Sequence, residues 1–179
     1  MPVVSSTDGG DAVHGVIHSK LGFDMPRLAC DCHVHVMGSP LRYPYVADRV
    51  YTPGIATPEN LAAHQRVLSL ERVVLVQASP FGSDNSCMID GMRQMGSAVR
   101  AVAVIDEQTS DDALRRMNSA GVRGVRINLE TFGESNPAVS LKALQWAARR
   151  VAPLGWHVQV YTNLAVIAAL QKEDRKSVV

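Results

Sequence analysis

In five short stretches of this chain alternate residues form an apolar face, and helical periodicity runs between them. The first stretch is Leu28–Val36, LACDCHVHV. Leu28, Cys30, Cys32, Val34 and Val36 fall on one face, and Asp31, His33 and His35 on the other. Such alternation predicts a strand with one packed face. Further strands are expected at Arg72–Ser79 (RVVLVQAS), Val99–Asp106 (VRAVAVID), Val122–Leu129 (VRGVRINL) and His157–Thr162 (HVQVYT), each with an apolar face on alternate residues. Five helices are expected in between and after. Thr57-Pro58-Glu59 opens one, with an N-cap hydroxyl, a proline suited to the first turn and a carboxylate at the positive dipole end. Leu61, His64 and Leu68 share its face, which makes His64 a surface or packing residue. A second helix starts near Asp84, carries Met88, Met92 and Met95 as core filler, and stops at Gly96. Thr109 or Ser110 caps the third, which ends at Gly121. Asn136-Pro137 opens the fourth, with Leu141, Leu144, Ala148 and Val151 as its buried stripe, closed by Pro153 and Gly155. Asn163 caps the last, containing Leu164, Ile167 and Leu170.

Strand, loop and helix repeated five times imply a parallel sheet with right-handed crossovers. Each strand has an aliphatic face, and a second face whose polar groups gather at its C-terminal end. These are His33 and His35, Gln77 and Ser79, Asp106, Arg126 and Asn128, and Gln159 and Tyr161. A (β/α) barrel builds its active site from strand ends in this way. A doubly wound open sheet is the rival, but no Gly-rich phosphate turn follows any strand.

The chain has 179 residues, 46% apolar and 20% charged, with a formal net charge of +1. That suits one soluble domain. Residues 1–26, rich in Gly, Ser and Asp, read as a lead-in arm in which His14 and His18 are assigned no role. Residues 27–179 read as the domain. No basic stripe is interleaved with aromatic residues, so nucleic acid is not an expected partner. No apolar run is long enough to span a bilayer, and the N-terminus has no secretory pattern. Three cysteines, Cys30, Cys32 and Cys87, are an odd count and point to a reduced, cytoplasmic setting. Cys30 and Cys32 share the apolar face with Val34 and Val36, so they read as packing under helices and not as half of a metal site.

Two imidazoles at positions i and i+2 of a strand lie on one side, about 6–7 Å apart at their α-carbons. They can converge on one metal ion or one small substrate. After them comes a long connection, residues 37–56, rich in Pro and Gly and holding Tyr43, Tyr45 and Tyr51. A connection of that length without regular structure is either functional or packed down by its tyrosines, and Tyr51 is the better functional candidate.

Asp31-Cys32-His33-Val34-His35 resembles the first-strand signature of the amidohydrolase superfamily, whose fold is a distorted (β/α)8 barrel of the TIM type. The loop RYPYVADRVYTPGIATPENL, the strand VVLVQASPFG with the following SDN, and GVRGVRINL resemble its amidohydrolase-2 branch, and most of all the 2-pyrone-4,6-dicarboxylate lactonases and related lactone hydrolases. The likeness runs over about residues 26–170. It implies a hydrolase in which His33 and His35 are catalytic, and Tyr51, Ser79, Arg126 and Tyr161 contact a small anionic substrate. In metal-dependent members of such a family the paired histidines bind a divalent ion, usually zinc. In the pyrone-dicarboxylate lactonases they are thought to polarise the lactone carbonyl without one. Two further readings stay open: a metal-dependent decarboxylase of the same family, and a truncated, inactive ligand-binding remnant. A full barrel takes about 250 residues, and only five βα units are visible. The family's sixth-strand histidine and eighth-strand aspartate have no counterpart, and Ser177-Val178-Val179 reads as the start of a sixth strand. An incomplete barrel exposes strand edges, so self-association is expected.

Overall fold

The computed structural model describes residues 22–177. His14, His18, most of the 1–26 arm, and Val178 and Val179 of the suspected sixth strand lie outside the described residues. Ser177 ends the last helix and is not in a strand.

Five strands form one parallel sheet in the order β1-β2-β3-β4-β5: β1 (Cys30–Val34), β2 (Arg72–Val76), β3 (Val99–Ala103), β4 (Val122–Asn128) and β5 (His157–Tyr161). Helices α1 (Pro58–Val67), α2 (Ser86–Met95), α3 (Asp111–Ala120) and α4 (Pro137–Val151) connect consecutive strands, and α5 (Leu164–Ser177) follows the last. Sequential order with a helix in every crossover is the wall of a (β/α) barrel, of which five units are present here.

Local chemistry sets the helix starts. Thr57 and Asn60 form a reciprocal capping box on α1, Ser110 accepts from the Ala113 amide at the start of α3, and Asn136 accepts from Ala138 at the start of α4. Each satisfies amides that a first turn leaves without intrahelical partners. Gly121 ends α3 with φ at +106°, a conformation that disfavours a Cβ. The core lies between the sheet and the helices. It holds Val73, Leu75, Ala101 and Val125 from the strands, and Leu61, Met88, Met92, Leu114 and Val151 from the helices. The methionines of α2 are core filler as expected.

Several expectations need correction. Leu28 lies outside β1, half exposed with φ at +62°. Cys32 is exposed and Cys30 only partly buried on the edge strand β1, while Val34 and Val36 further along the same face pack against the core. Cys87, on α2, is the buried thiol. The buried stripe of α4 is Ser140, Ala147 and Val151, with Ala148 exposed, a rotation of the helix by about one residue. All five strands stop short of the expected ends, β1 at Val34 and β5 at Tyr161. β2 ends at Val76 and Ser79–Phe81 forms a 3-10 turn. β3 ends three residues before Asp106, and β4 one residue before Leu129. Gln77 does not face the barrel mouth. It is fully buried, and its Nε2 donates to the carbonyls of Gly82 (3.2 Å) and Asp84 (2.7 Å), closing the loop after β2.

Candidate active site

β1 and the residue after it deliver two histidines to one place. His33 and His35 sit on the same side of the chain, their ring centroids 5.3 Å apart and their planes at 89°. The His33 amide donates to Asp31 Oδ1 at 3.1 Å, so this carboxylate is tied to its own strand. His35 Nδ1 lies 2.7 Å from the Val76 carbonyl at the end of β2. A carbonyl only accepts, so the His35 proton is on Nδ1 and Nε2 carries the lone pair.

The opposite wall comes from β4 and β5. Their register places Arg126 beside Gln159 and Asn128 beside Tyr161. In parallel strands such neighbours share a face. The Arg126 guanidinium lies over the Tyr161 ring, 5.0 Å from its centroid. Its Nη1 reaches the Gln77 carbonyl at 3.5 Å, a long contact, while its Nε is buried without a partner. Gln159 Nε2 crosses to His33 Nδ1 at 3.4 Å, linking the two ends of the sheet.

Burial and charge act together here. Burial lowers the pKa of His33, and the nearby Arg126 lowers it further against a smaller opposing effect of Asp31. Burial lowers His35 more than its bond to Val76 raises it, with His33 and Arg126 adding to the lowering. Both imidazoles are therefore neutral at neutral pH. Burial also lowers Arg126, opposed by Tyr161 and, as a smaller effect, Tyr51.

His33, His35, Arg126 and Tyr161 thus come together, while Tyr51 lies exposed in the loop after β1 with no hydrogen bond to them. Ser79 sits partly buried in the 3-10 turn, and no side-chain hydrogen bond joins it to the others. Gln159 is the addition: alternation put it on the polar face of its strand, but nothing in the sequence pairs it with a histidine 126 residues away. Asp106 stays apart. It accepts from Ser83 at 2.6 Å and from Thr109 at 2.9 Å, which with backbone bonds hold its pKa low. It borders a cleft of about 470 Å³ between α2 and α3 that contains neither histidine.

Among the described residues no group of three or more His, Cys, Asp or Glu side chains is placed to hold a metal ion. Zinc sites draw at least three protein ligands. His33 and His35 supply two, beside a guanidinium whose charge opposes a dication. This donor set does not fit a divalent ion by itself. No described helix is long and apolar enough to cross a membrane.

A parallel half-barrel with polar groups converging at the C-terminal ends of β1, β4 and β5 is the arrangement from which (β/α)-barrel proteins build their sites. Residues 30–173 match the amidohydrolase family model, and the chain belongs to that family. It is 38% identical over 144 residues to a 2-pyrone-4,6-dicarboxylate hydrolase of Comamonas testosteroni, covering 80% of this chain and 46% of that protein. A 4-sulfomuconolactone hydrolase of Hydrogenophaga intermedia is 30% identical over 146 residues, covering 80% of this chain and 47% of the relative. The fold superposes with a TM-score of 0.71 and 26% identity on an Acinetobacter baumannii crystal structure named as a probable 2-pyrone-4,6-dicarboxylic acid hydrolase, solved with citric acid bound. That match covers 83% of this chain and 55% of the other. The chain spans about half the length of the curated relatives it matches.

Proposed function

We propose that this chain carries the carbonyl-polarising and carboxylate-binding part of a lactone hydrolase site, within a barrel domain formed by residues 27–179. The substrate class is a cyclic ester bearing carboxylates, of the 2-pyrone-4,6-dicarboxylate kind. One observation carries the reading: two imidazoles with ring centroids 5.3 Å apart share a strand-end face with the half-buried Arg126, whose buried Nε has no partner. An ester carbonyl attacked by water gathers negative charge on its oxygen, and a positioned imidazole N–H stabilises it. Arg126 binds a substrate carboxylate, since guanidinium matches carboxylate geometry. Tyr161 holds the guanidinium in place, and the hydroxyls of Tyr51 and Ser79 complete the anion site. His33 and His35 act here as hydrogen-bonding groups. A zinc ion would need further ligands beyond this pair, so no step is routed through one. The odd cysteine count agrees with a cytoplasmic setting.

A second reading, binding without turnover, is favoured by a specific observation. Of the two candidate carboxylates, Asp31 accepts from the backbone of its own strand, and Asp106 stands apart from the histidines, bound to Ser83 and Thr109. Incubation of the chain with 2-pyrone-4,6-dicarboxylate separates the cases. The lactonase reading expects loss of the pyrone absorbance with uptake of one water into a ring-opened acid. Release of carbon dioxide without water addition would defeat it in favour of a decarboxylase. No turnover by a folded chain that still binds the compound would favour the binding reading.

A further inference from the structure

His35 and His33 are held by opposite kinds of partner. The Val76 carbonyl at His35 Nδ1 can only accept, which fixes that ring as the Nδ1–H tautomer with a lone pair at Nε2. The Gln159 amide nitrogen at His33 Nδ1 can only donate. A proton on His33 Nδ1 would set two donors against each other across 3.4 Å, so the contact bonds only when Nδ1 bears the lone pair. We propose that Gln159 is a positioning residue that fixes His33 as the Nε2–H tautomer, so that the two histidines present one donor and one acceptor to the same ligand.

The amide orientation has its own support. With Nε2 toward His33, Gln159 Oε1 is buried and unpartnered, as is Nε of Arg126, its register neighbour. The reverse orientation would turn the NH2 group to the position Oε1 now occupies. It would bury an unpartnered donor on the strand next to a guanidinium, where the carbonyl end of the amide dipole is favoured. Three charged or titratable groups bear on His33: Arg126, Asp31 and His35. Only Gln159 makes a side-chain hydrogen bond to its ring among the described residues.

The consequence for chemistry rests on the lactone reading above. There, His33 Nε2–H donates to the ester carbonyl oxygen, and the lone pair on His35 Nε2 accepts a hydrogen bond from the ligand or from water. Sequence alone makes the pair look equivalent. Their second partners make them complementary, since the hydrogen bond at one ring nitrogen decides which atom the other presents.

The test is the tautomer itself, read by long-range proton–nitrogen correlation on the imidazole-labelled full chain at a pH where both rings are neutral. The expected result is His33 protonated at Nε2 and His35 at Nδ1. Gln159→Glu exchanges the donor for an acceptor and should move the His33 proton to Nδ1 while leaving His35 unchanged. Gln159→Leu should leave His33 as a mixture of tautomers. Wild-type His33 protonated at Nδ1 would overturn the inference, and so would a tautomer that neither substitution moves. The wild-type reading needs no variant to fold, and none of these readings needs turnover. A chain inactive on lactones with His33 protonated at Nε2 sinks the functional reading alone. An active chain with His33 protonated at Nδ1 sinks this inference alone.

Discussion

His33 and His35 each give up basicity to their surroundings, and this makes the fold sensitive to pH. Both are lowered from the ordinary value of 6.5, in each case chiefly by burial. As pH falls through 6.5, histidines in the unfolded chain take up protons first, while those in the fold resist until lower pH. The unfolded state then binds more protons, so stability rises with pH across that interval. The contribution is complete above 6.5 and is lost as pH falls below it. A further loss begins as pH falls through the carboxylate value of 3.8, where aspartates in the unfolded chain take up protons while Asp90 and Asp106, held ionised by their hydrogen bonds in the fold, resist until lower pH. Urea denaturation at a series of pH values should show the first step. His35→Gln should shrink it, because His35 is the more buried of the two. An undiminished step in that variant would contradict the assignment. At this scale the alternation of the first strand displayed the two histidines on one side of the chain. It could not show that their ring nitrogens meet unlike partners, because Val76 and Gln159 are brought in by the fold.

The elements differ in how much of them the sequence displayed. Helix starts were legible because capping is local: Thr57, Ser110 and Asn136 each meet an amide two or three residues on. Strand ends were less legible. The run after Val76 keeps its apolar character through Ala78, but Gln77 turns inward to the loop carbonyls and the ladder stops. The slip between Ala148 and Ala147 has a similar origin, since either alanine continues a helical stripe and packing against the sheet selects one. Asn85 shows what the loop after β2 costs to hold. Its Nδ2 donates to the carbonyls of Ser83 (2.9 Å) and Val104 (2.8 Å), and its Oδ1 accepts from the Val104 amide (3.0 Å). Asn85→Ala removes all three bonds from a buried side chain and leaves the partly buried Val104 amide and carbonyl unpaired, so it should destabilise the fold by about 1–3 kcal/mol. Denaturant unfolding measures this, and a change below about 0.5 kcal/mol, the size of an ordinary surface substitution, would show that the loop is not held this way.

At the scale of the whole molecule, β1 and β5 are the two edges of the sheet, each paired on one side only among the described residues. A closed barrel leaves no such edges. Beyond β5, Leu164 is 79% exposed and Ile167 49%, on the first turns of α5. Unpaired edges next to exposed apolar side chains favour association of one copy with another. Sedimentation over a range of concentrations should find species larger than the monomer, whereas a monodisperse monomer throughout would contradict this. The barrel class was legible because five strands carry their polar groups at the same end. The pairing of β1 with β5 residues across the open sheet was not, because His33 and Gln159 are 126 residues apart and meet only once the wall curls. The central claim is that β1, β4 and β5 form one anion-binding, carbonyl-facing site. Its most direct test is titration of the chain with 2-pyrone-4,6-dicarboxylate, followed residue by residue by nuclear magnetic resonance. The account predicts saturable shifts at His33, His35, Arg126, Gln159 and Tyr161, abolished or weakened at least tenfold in Arg126→Met, a loss of about 1.4 kcal/mol or more. Shifts confined to the cleft around Ser83 and Asp106, or binding that Arg126→Met leaves intact, would contradict it.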